Sequence, residues 1–416
     1  MWIFKNKYFQ LFLVFGLAAY LVIEAKGEGD FFIYAYAAVE LGHGVDIYQA
    51  KYMGGFHYYY SVLFAYFLNL FSGLPFYGLK FFWLFLNAAM FFHLLHLLNQ
   101  SEWLKALKEN QRHVFTLCVF LFSFRFFHQN IHSAQITIVV LWCCTYALIL
   151  LNKGNVYQAA LLLAVGINLK LLPIVFLPYL IYRGYFKATI LTLIFYAGSL
   201  LLPSILIGHE YNLSLLKSWY ALINPRNTQH ILDTDERSFH GLSTVLATLF
   251  VANPPDPHAM ILKRNIADLP LEALKYLLLF ARFFLISLTL YFLKWPPFRK
   301  ANSEKQSVYE VSYLLLLIPL IFPHQQHYAF LFAVPAFACC LYFLFQFEND
   351  LTKQKKSALI FFLVLIYLTA NLSVLIGEFN RYYEHYKILT YGILMLIPLL
   401  IYVSGNSRNS TLRTAK

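Results

Sequence analysis

The sequence predicts an all-α polytopic membrane protein, and three observations carry that prediction. Hydrophobic residues fill 60% of the 416 positions and charged residues only 12%, a balance that excludes a soluble globule. Apolar runs long enough, or nearly so, to cross a ~30 Å hydrocarbon core as helices recur along the whole chain. The net charge of +12 comes from basic residues scattered over short polar breaks. That is the pattern of membrane-topology signals rather than of a nucleic-acid-binding face.

The first apolar run, 9–23, follows Lys5 and Lys7 and shows no small-residue cleavage site before Lys26, so a retained signal anchor is expected. Eleven more runs follow, at 76–98, 114–127, 134–151, 156–169, 171–182, 188–208, 271–293, 308–322, 328–347, 358–376 and 388–403. The expected architecture is therefore a bundle of about 12 transmembrane helices. Runs 156–169 and 171–182 are short and interrupted by Lys170 and Pro173, which predicts local thinning and a lateral cavity open to lipid. Cys118, Cys143, Cys144, Cys339 and Cys340 all fall inside apolar runs and act as small hydrophobes, with neither a disulfide framework nor metal-binding spacing. No internal repeat is evident.

Residues 57–71 form one further apolar segment, and the charge distribution decides its treatment. If it does not cross, 18 of the 32 Lys and Arg fall on one side with six of the 20 acids; that side is the cytoplasm by the positive-inside rule. Letting it cross would invert every later loop and erase the asymmetry. Residues 57–71 are therefore expected as a re-entrant or interfacial helix. Both termini are then cytoplasmic, and the two large loops, 24–75 and 209–270, face outward. The second contains Pro225, Pro254, Pro255, Pro257 and Pro270, so it should be a broken, turn-rich segment with short helices rather than an autonomous domain. The whole chain, 1–416, is expected to be one integral domain of the cell membrane with its active site on the outer face.

On the expected outer side the candidates for chemistry are few. Asp30 stands just beyond the first apolar run and is the candidate catalytic base; Glu28, Asp46, Arg125, His128, Gln135, Lys170, His240, His324, His327 and Arg381 complete the set. They come from separated segments that could converge on one outward cavity. Ionisable groups at membrane depth are costly and tend to be functional, which favours Arg125 and Lys170, while snorkelling to the headgroup layer is the competing reading for each. His324 and His327, three apart, can share a helical face. That spacing suits hydrogen bonding to a phosphate or sugar, or a metal, although no carboxylate stands near them at matching spacing; an ordinary interfacial pair is the plain alternative. Asp46, in Gly42-His43-Gly44-Val45-Asp46, suits a tight turn, with a sugar contact as the other possibility. Asp30 itself could simply cap a helix starting at Phe31.

Asp30-Phe31-Phe32-Ile33-Tyr34, then Ala37-Ala38 and Gly44-Val45-Asp46-Ile47-Tyr48, resemble the first-loop signature of glycosyltransferase family 87, whose members have the multi-span GT-C fold. Ser133-Ala134-Gln135-Ile136 is similar to that family's Gly-Gln turn, with Ala134 in place of the glycine. Asn168-Leu169-Lys170-Leu171-Leu172-Pro173 is similar to its Lys-x-x-Pro segment. His324-Gln325-Gln326-His327-Tyr328 is similar to its histidine region without the preceding Trp, and His240-Gly241-Leu242-Ser243 is the counterpart of its Asn-Gln-Ser element. The resemblance implies transfer of a sugar from a polyprenyl-phosphate carrier to a glycolipid or envelope-glycan acceptor at the outer face. Mannose is the first expectation and no cofactor is implied. Asp30 would take the acceptor's proton, and Lys170, Arg125, His324 and His327 would meet the phosphate, with Gln135, His240 and Asp46 as further substrate contacts. The rival class is a transporter or lipid flippase, which would show internal repeats and midplane binding residues; the clustering of polar candidates toward one face argues for the enzyme.

Overall fold

A computed structural model describes residues 7–224, 229–293, 296–348 and 350–413; Lys5, Pro225, Lys294 and Lys416, which entered the charge and turn arguments, lie outside them. The chain is helical throughout, with only two isolated bridges, Tyr52 to Phe56 and Phe239 to Gln326, and no strand among the described residues. In order the helices are α1 (Lys7–Lys26), α2 (Phe31–Gly42), α3 (Val62–Asn69), α4 (Phe76–Gln100), α5 (Glu109–His132), α6 (Thr137–Asn152), α7 (Val156–Leu169), α8 (Phe176–Tyr182), α9 (Phe186–Ile207) and α10 (His209–Ile223). There follow α11 (Gln229–Leu232), α12 (Leu242–Phe250), α13 (Leu271–Ser287), α14 (Thr289–Phe292), α15 (Glu304–Ile321), α16 (Val334–Gln346), α17 (Lys353–Asn371), α18 (Asn380–His385) and α19 (Ile388–Arg413).

Every one of the twelve apolar runs becomes a helix or a helical pair. Seven are long and apolar enough to cross a membrane, or eight if the bent pair α1–α2 is one span. The shortfall from twelve has a physical reason. Helix α7 has 14 residues and α6 has 16, which at ~1.5 Å per residue is less than a full hydrocarbon core. The N-terminal half of α15 carries Glu304, Lys305 and Glu310. Residues 57–71 yield only the eight-residue α3, started by the Ser61 hydroxyl accepting from Phe64 N. At ~12 Å it is far too short to span.

The chain divides into two compact units. The first comprises Met1–Leu94, Phe127–Ile174 and Lys187–Asn224. Its core gathers Phe31, Tyr34, Tyr58, Tyr60, Phe64 and Trp83 in edge-on and tilted aromatic contacts, with Ala37 buried as well. The stretch 24–75, expected as an outer loop, is thus not a loop throughout, because α2 and α3 pack within it. The second unit comprises Leu95–Phe126, Val175–Phe186 and Pro225–Lys416. Helices α15, α16 and α19 form its interior, where Phe122 stacks on Phe337 at 3.9 Å. Beside them Arg183 and Glu310 make a buried ion pair that Gln306 completes. The stretch 209–270, expected to be broken with short helices, carries α10, α11 and α12, and from 251 to 270 the described chain has no helix.

Candidate functional site

The first unit builds one carboxylate site. Helices α1 and α2 meet at a 56° bend, and the bend exists because Gly29 takes φ 146°, a backbone angle that side-chain-bearing residues rarely adopt. Gly29 is also pressed against the turn after α5: a Cβ there would lie 3.0 Å from the Ser133 carbonyl carbon. That close approach lets Asp30 N donate to Ser133 O at 2.9 Å. Asp30 occupies the N-cap position of α2, yet its side chain makes no capping hydrogen bond. Its Oδ2 instead accepts from Gln135 Nε2 at 2.5 Å. The cap reading of the side chain is therefore set aside.

Ala134, between Ser133 and Gln135, has φ 52°, the left-handed region that glycine fills freely and other L-residues reach at a cost of about 1–2 kcal/mol. Lys170 caps α7 in extended backbone, φ −150° and ψ 125°, with its N donating to Gly166 O. It is half-buried. Burial draws its ammonium pKa down to about 8, and the Asp30 carboxylate opposes that shift, so the two charges act on each other. Tyr60, buried behind, has its hydroxyl pKa raised by burial and further by Asp30. Asp30, Gln135 and Lys170 are thus brought into one electrostatic neighbourhood of this unit.

Asp46 serves a turn: it accepts from Tyr48 N at 3.0 Å, Gln49 Nε2 at 2.9 Å and Ser218 Oγ at 2.6 Å. Glu28 is exposed, and its carbonyl, not its carboxylate, is used, by Lys80. His128 Nδ1 pairs with the Tyr20 hydroxyl at 2.6 Å.

The second unit holds the remaining candidates in two separate clusters, which corrects the shared-face expectation for the histidines. His324 precedes the 3-10 helix that begins at His327 and has φ 57°. Its Nδ1 pairs with Asp233 Oδ1 at 2.8 Å and its Nε2 with His230 Nδ1 at 2.7 Å. Asp233 also accepts from Ser243 and Thr244. His327 turns to a different acid: its Nε2 donates to both oxygens of Glu384 at 2.9 Å, and His240 Nε2 donates to Glu384 Oε2 at 2.8 Å.

Arg125 completes this second cluster. Its Nη1 donates to Ala370 O at 2.7 Å and Tyr383 OH at 2.8 Å, and Nη2 lies 3.9 Å from Glu384. Its Nε and Nη2 have no hydrogen-bond partner among the described residues, although the side chain is 1% exposed. Burial pushes the His240 pKa down to about 3, against the pull of Glu384, so this imidazole is neutral. Burial by itself would raise Glu384, but His327 and His240 hold it well below the usual carboxylate range. Burial also lowers Lys387, to about 8. Arg381 is exposed and leans on the Tyr382 ring.

Two donor sets have metal-ligand chemistry, His240-His327-Glu384 and Asp233-Asp235-His324, the ligand atoms in each lying within 4.8 Å of one another. A divalent cation in the first set would take the Nε2 lone pair of each imidazole and displace its hydrogen bond to Glu384. The Arg125 guanidinium and Lys387 ammonium already act on that carboxylate as counter-charges. The arrangement fits a hydrogen-bonded network better than a cation site.

Sequence reasoning passed over Glu384, Asp233, Lys80 and Trp83. A signal for Glu384 was present: it is an acid just ahead of the apolar run 388–403, in the segment from which only Arg381 was drawn. Among the comparisons, the family model described as Glycosyltransferase family 87 matches residues 58–323, well over half of the chain. That stretch includes Arg125, Gln135, Lys170 and His240; Asp30 and Asp46 precede it, and His324 and His327 follow it. No curated protein and no solved structure matches.

Proposed function

The chain belongs to glycosyltransferase family 87, and from that premise we propose that it moves a hexose, with mannose the first expectation, from a polyprenyl-phosphate sugar to a lipid-linked or cell-envelope acceptor at the outer face of the membrane. Displacement is direct and inverting. The acceptor oxygen bonds to the anomeric carbon as the bond from that carbon to the phosphate oxygen breaks, the acceptor's proton passes to Asp30, and polyprenyl phosphate leaves with the electron pair.

The observation that carries this reading is the Asp30 carboxylate, which ignores the helix end beside it and is held by Gln135. A single carboxylate serves as base in a one-step displacement. Lys170 is the cation proposed to meet the leaving phosphate, because a fixed positive charge stabilises the transition state more as negative charge builds up. Arg125, in the second unit with Nη2 3.9 Å from Glu384, is given no part in this step. His324, with both ring nitrogens engaged, loses the phosphate role as well.

The test uses purified protein in lipid vesicles with labelled polyprenyl-phosphate mannose and an envelope lipid extract as acceptor. Label should move to the extract with equimolar release of polyprenyl phosphate, and Asp30→Asn should not support it. Movement of the intact donor across the vesicle membrane without cleavage would overturn the reading in favour of a flippase.

A further inference from the structure

We propose that Lys80 and Trp83 are positioning residues for the Asp30 carboxylate, holding from one face of α4 the two backbone segments that aim it. The proposal rests on Asp30 being the base. Lys80 lies in a helix apolar enough to cross the membrane and is 0% exposed. Its Nζ donates to Gly27 O at 2.6 Å and Glu28 O at 3.1 Å, and the Phe32 ring lies 5.6 Å away. The two carbonyls therefore belong to the bend between α1 and α2, immediately before Asp30.

Trp83 stands three residues further on, on the same helical face. It is also buried, and its Nε1 donates to Ala134 O at 3.0 Å, inside the turn that supplies both Ser133 O and Gln135 Nε2 to Asp30. One face of α4 thus grips both walls of the carboxylate site.

Burying an ammonium in a membrane-depth helix is costly, and an apolar residue would fill the same space without that cost. What lysine adds is a pair of charge-assisted bonds to carbonyls that no apolar side chain could hold. Those bonds restrain a bend that contains Gly27 and Gly29, residues with more backbone freedom than any other type. A base must sit within hydrogen-bond reach of the acceptor hydroxyl, and a shift of about 1 Å costs roughly 10²-fold in rate.

The experiment compares full-length Lys80→Met and Trp83→Phe with wild type and Asp30→Asn. It measures kcat, acceptor KM, donor Kd, thermal melting in detergent, and hydrogen–deuterium exchange of the segment carrying the Asp30 amide. Lys80→Met should lose roughly 10²-fold in kcat and Trp83→Phe roughly 10-fold, with donor Kd within about twofold, and both should speed exchange of the Asp30 segment. Trp83→Phe removes the N–H and trims the indole to a phenyl ring, and the melting temperature separates the lost packing from the lost hydrogen bond, so it decides the matter even if Lys80→Met does not fold. Unchanged kcat and unchanged exchange in a folded variant, beside an inactive Asp30→Asn, would overturn the brace alone. Full turnover in Asp30→Asn would instead remove the base assignment, and the proposal with it.

Discussion

Replacing Asp30 by Asn separates the proposed chemistry from architecture because the two rest on different atoms. The backbone roles of residue 30, donation to Ser133 O and acceptance from Tyr34 N, are untouched by the change. The side chain does not cap α2, and Asn is as good as Asp at that position in any case. What changes is the bond from Gln135 Nε2, which becomes a neutral pair if the Asn carbonyl takes the place of Oδ2. Charge-assisted hydrogen bonds are worth about twice neutral ones, so the stability cost is about 1 kcal/mol. Loss of a general base costs about two to four orders of magnitude, roughly 3–5 kcal/mol of transition-state stabilisation. Chemistry therefore dominates the expected outcome.

One coupled effect must be kept out of the measurement. Asp30 supports the charge on Lys170, whose pKa is about 8, so its removal lowers that pKa further. Assays at about pH 6.5 keep the ammonium protonated in both proteins. Single-turnover rates with a polyprenyl-phosphate sugar, together with donor Kd and melting temperature, form the readout. Turnover within threefold of wild type would refute the reasoning and return Asp30 to an architectural role.

Three further outcomes follow. Lys170, lowered to about 8, is charged below that pH and neutral above it, so donor affinity should fall as pH rises from about 7 to 9, and Lys170→Arg should flatten the fall; titration of donor binding checks this. His240, lowered from 6.5 to about 3, stays neutral in the folded state while the unfolded state takes up a proton below pH 6.5. His240's share of the stability should therefore drop on acidification by roughly 2 kcal/mol at pH 5, and His240→Gln should remove that share of the slope in denaturation measurements while His327 keeps its own. Gly29→Ala meets both the φ of 146° and the 3.0 Å approach to Ser133. It should lower the melting temperature by an amount matching roughly 1–3 kcal/mol and cut kcat more than donor affinity; a melt like that of wild type would contradict the close packing described.

The membrane class and the positions of the helices were legible because hydrophobic run length is a local property. Charge asymmetry argued against a crossing at 57–71, and the helix found there, α3, has only eight residues. The number of crossing helices was less legible, since α6, α7 and α15 are apolar for reasons of internal packing as well as lipid contact. Position alone marked Asp30, a carboxylate just past an apolar run with glycines on its N-terminal side. The histidines show the limit of that kind of reading. Spacing of three put His324 and His327 on one face only if both were helical; His324 sits at φ 57° outside the helix, and each ring found a carboxylate far away in sequence, Asp233 and Glu384.

The same limit explains why Asp30 could be picked out while its aim could not. A side chain's identity is written at one position, but its orientation is set by what holds the backbone on either side. Here those groups are Ser133 and Gln135, a hundred residues downstream, and Lys80 and Trp83 on a third segment. Nothing in the local pattern marks Lys80, which in an apolar run at a helix start looks like a snorkelling lysine. Its full burial and two carbonyl partners turn that reading around. A snorkelling lysine can become methionine with little effect, because its charge already rests in the headgroup layer. A bracing lysine cannot, because the charge is what holds the carbonyls. Lys80→Met therefore tests which kind of lysine stands at the head of α4, and the rate of amide exchange at Asp30 reports the answer independently of catalysis.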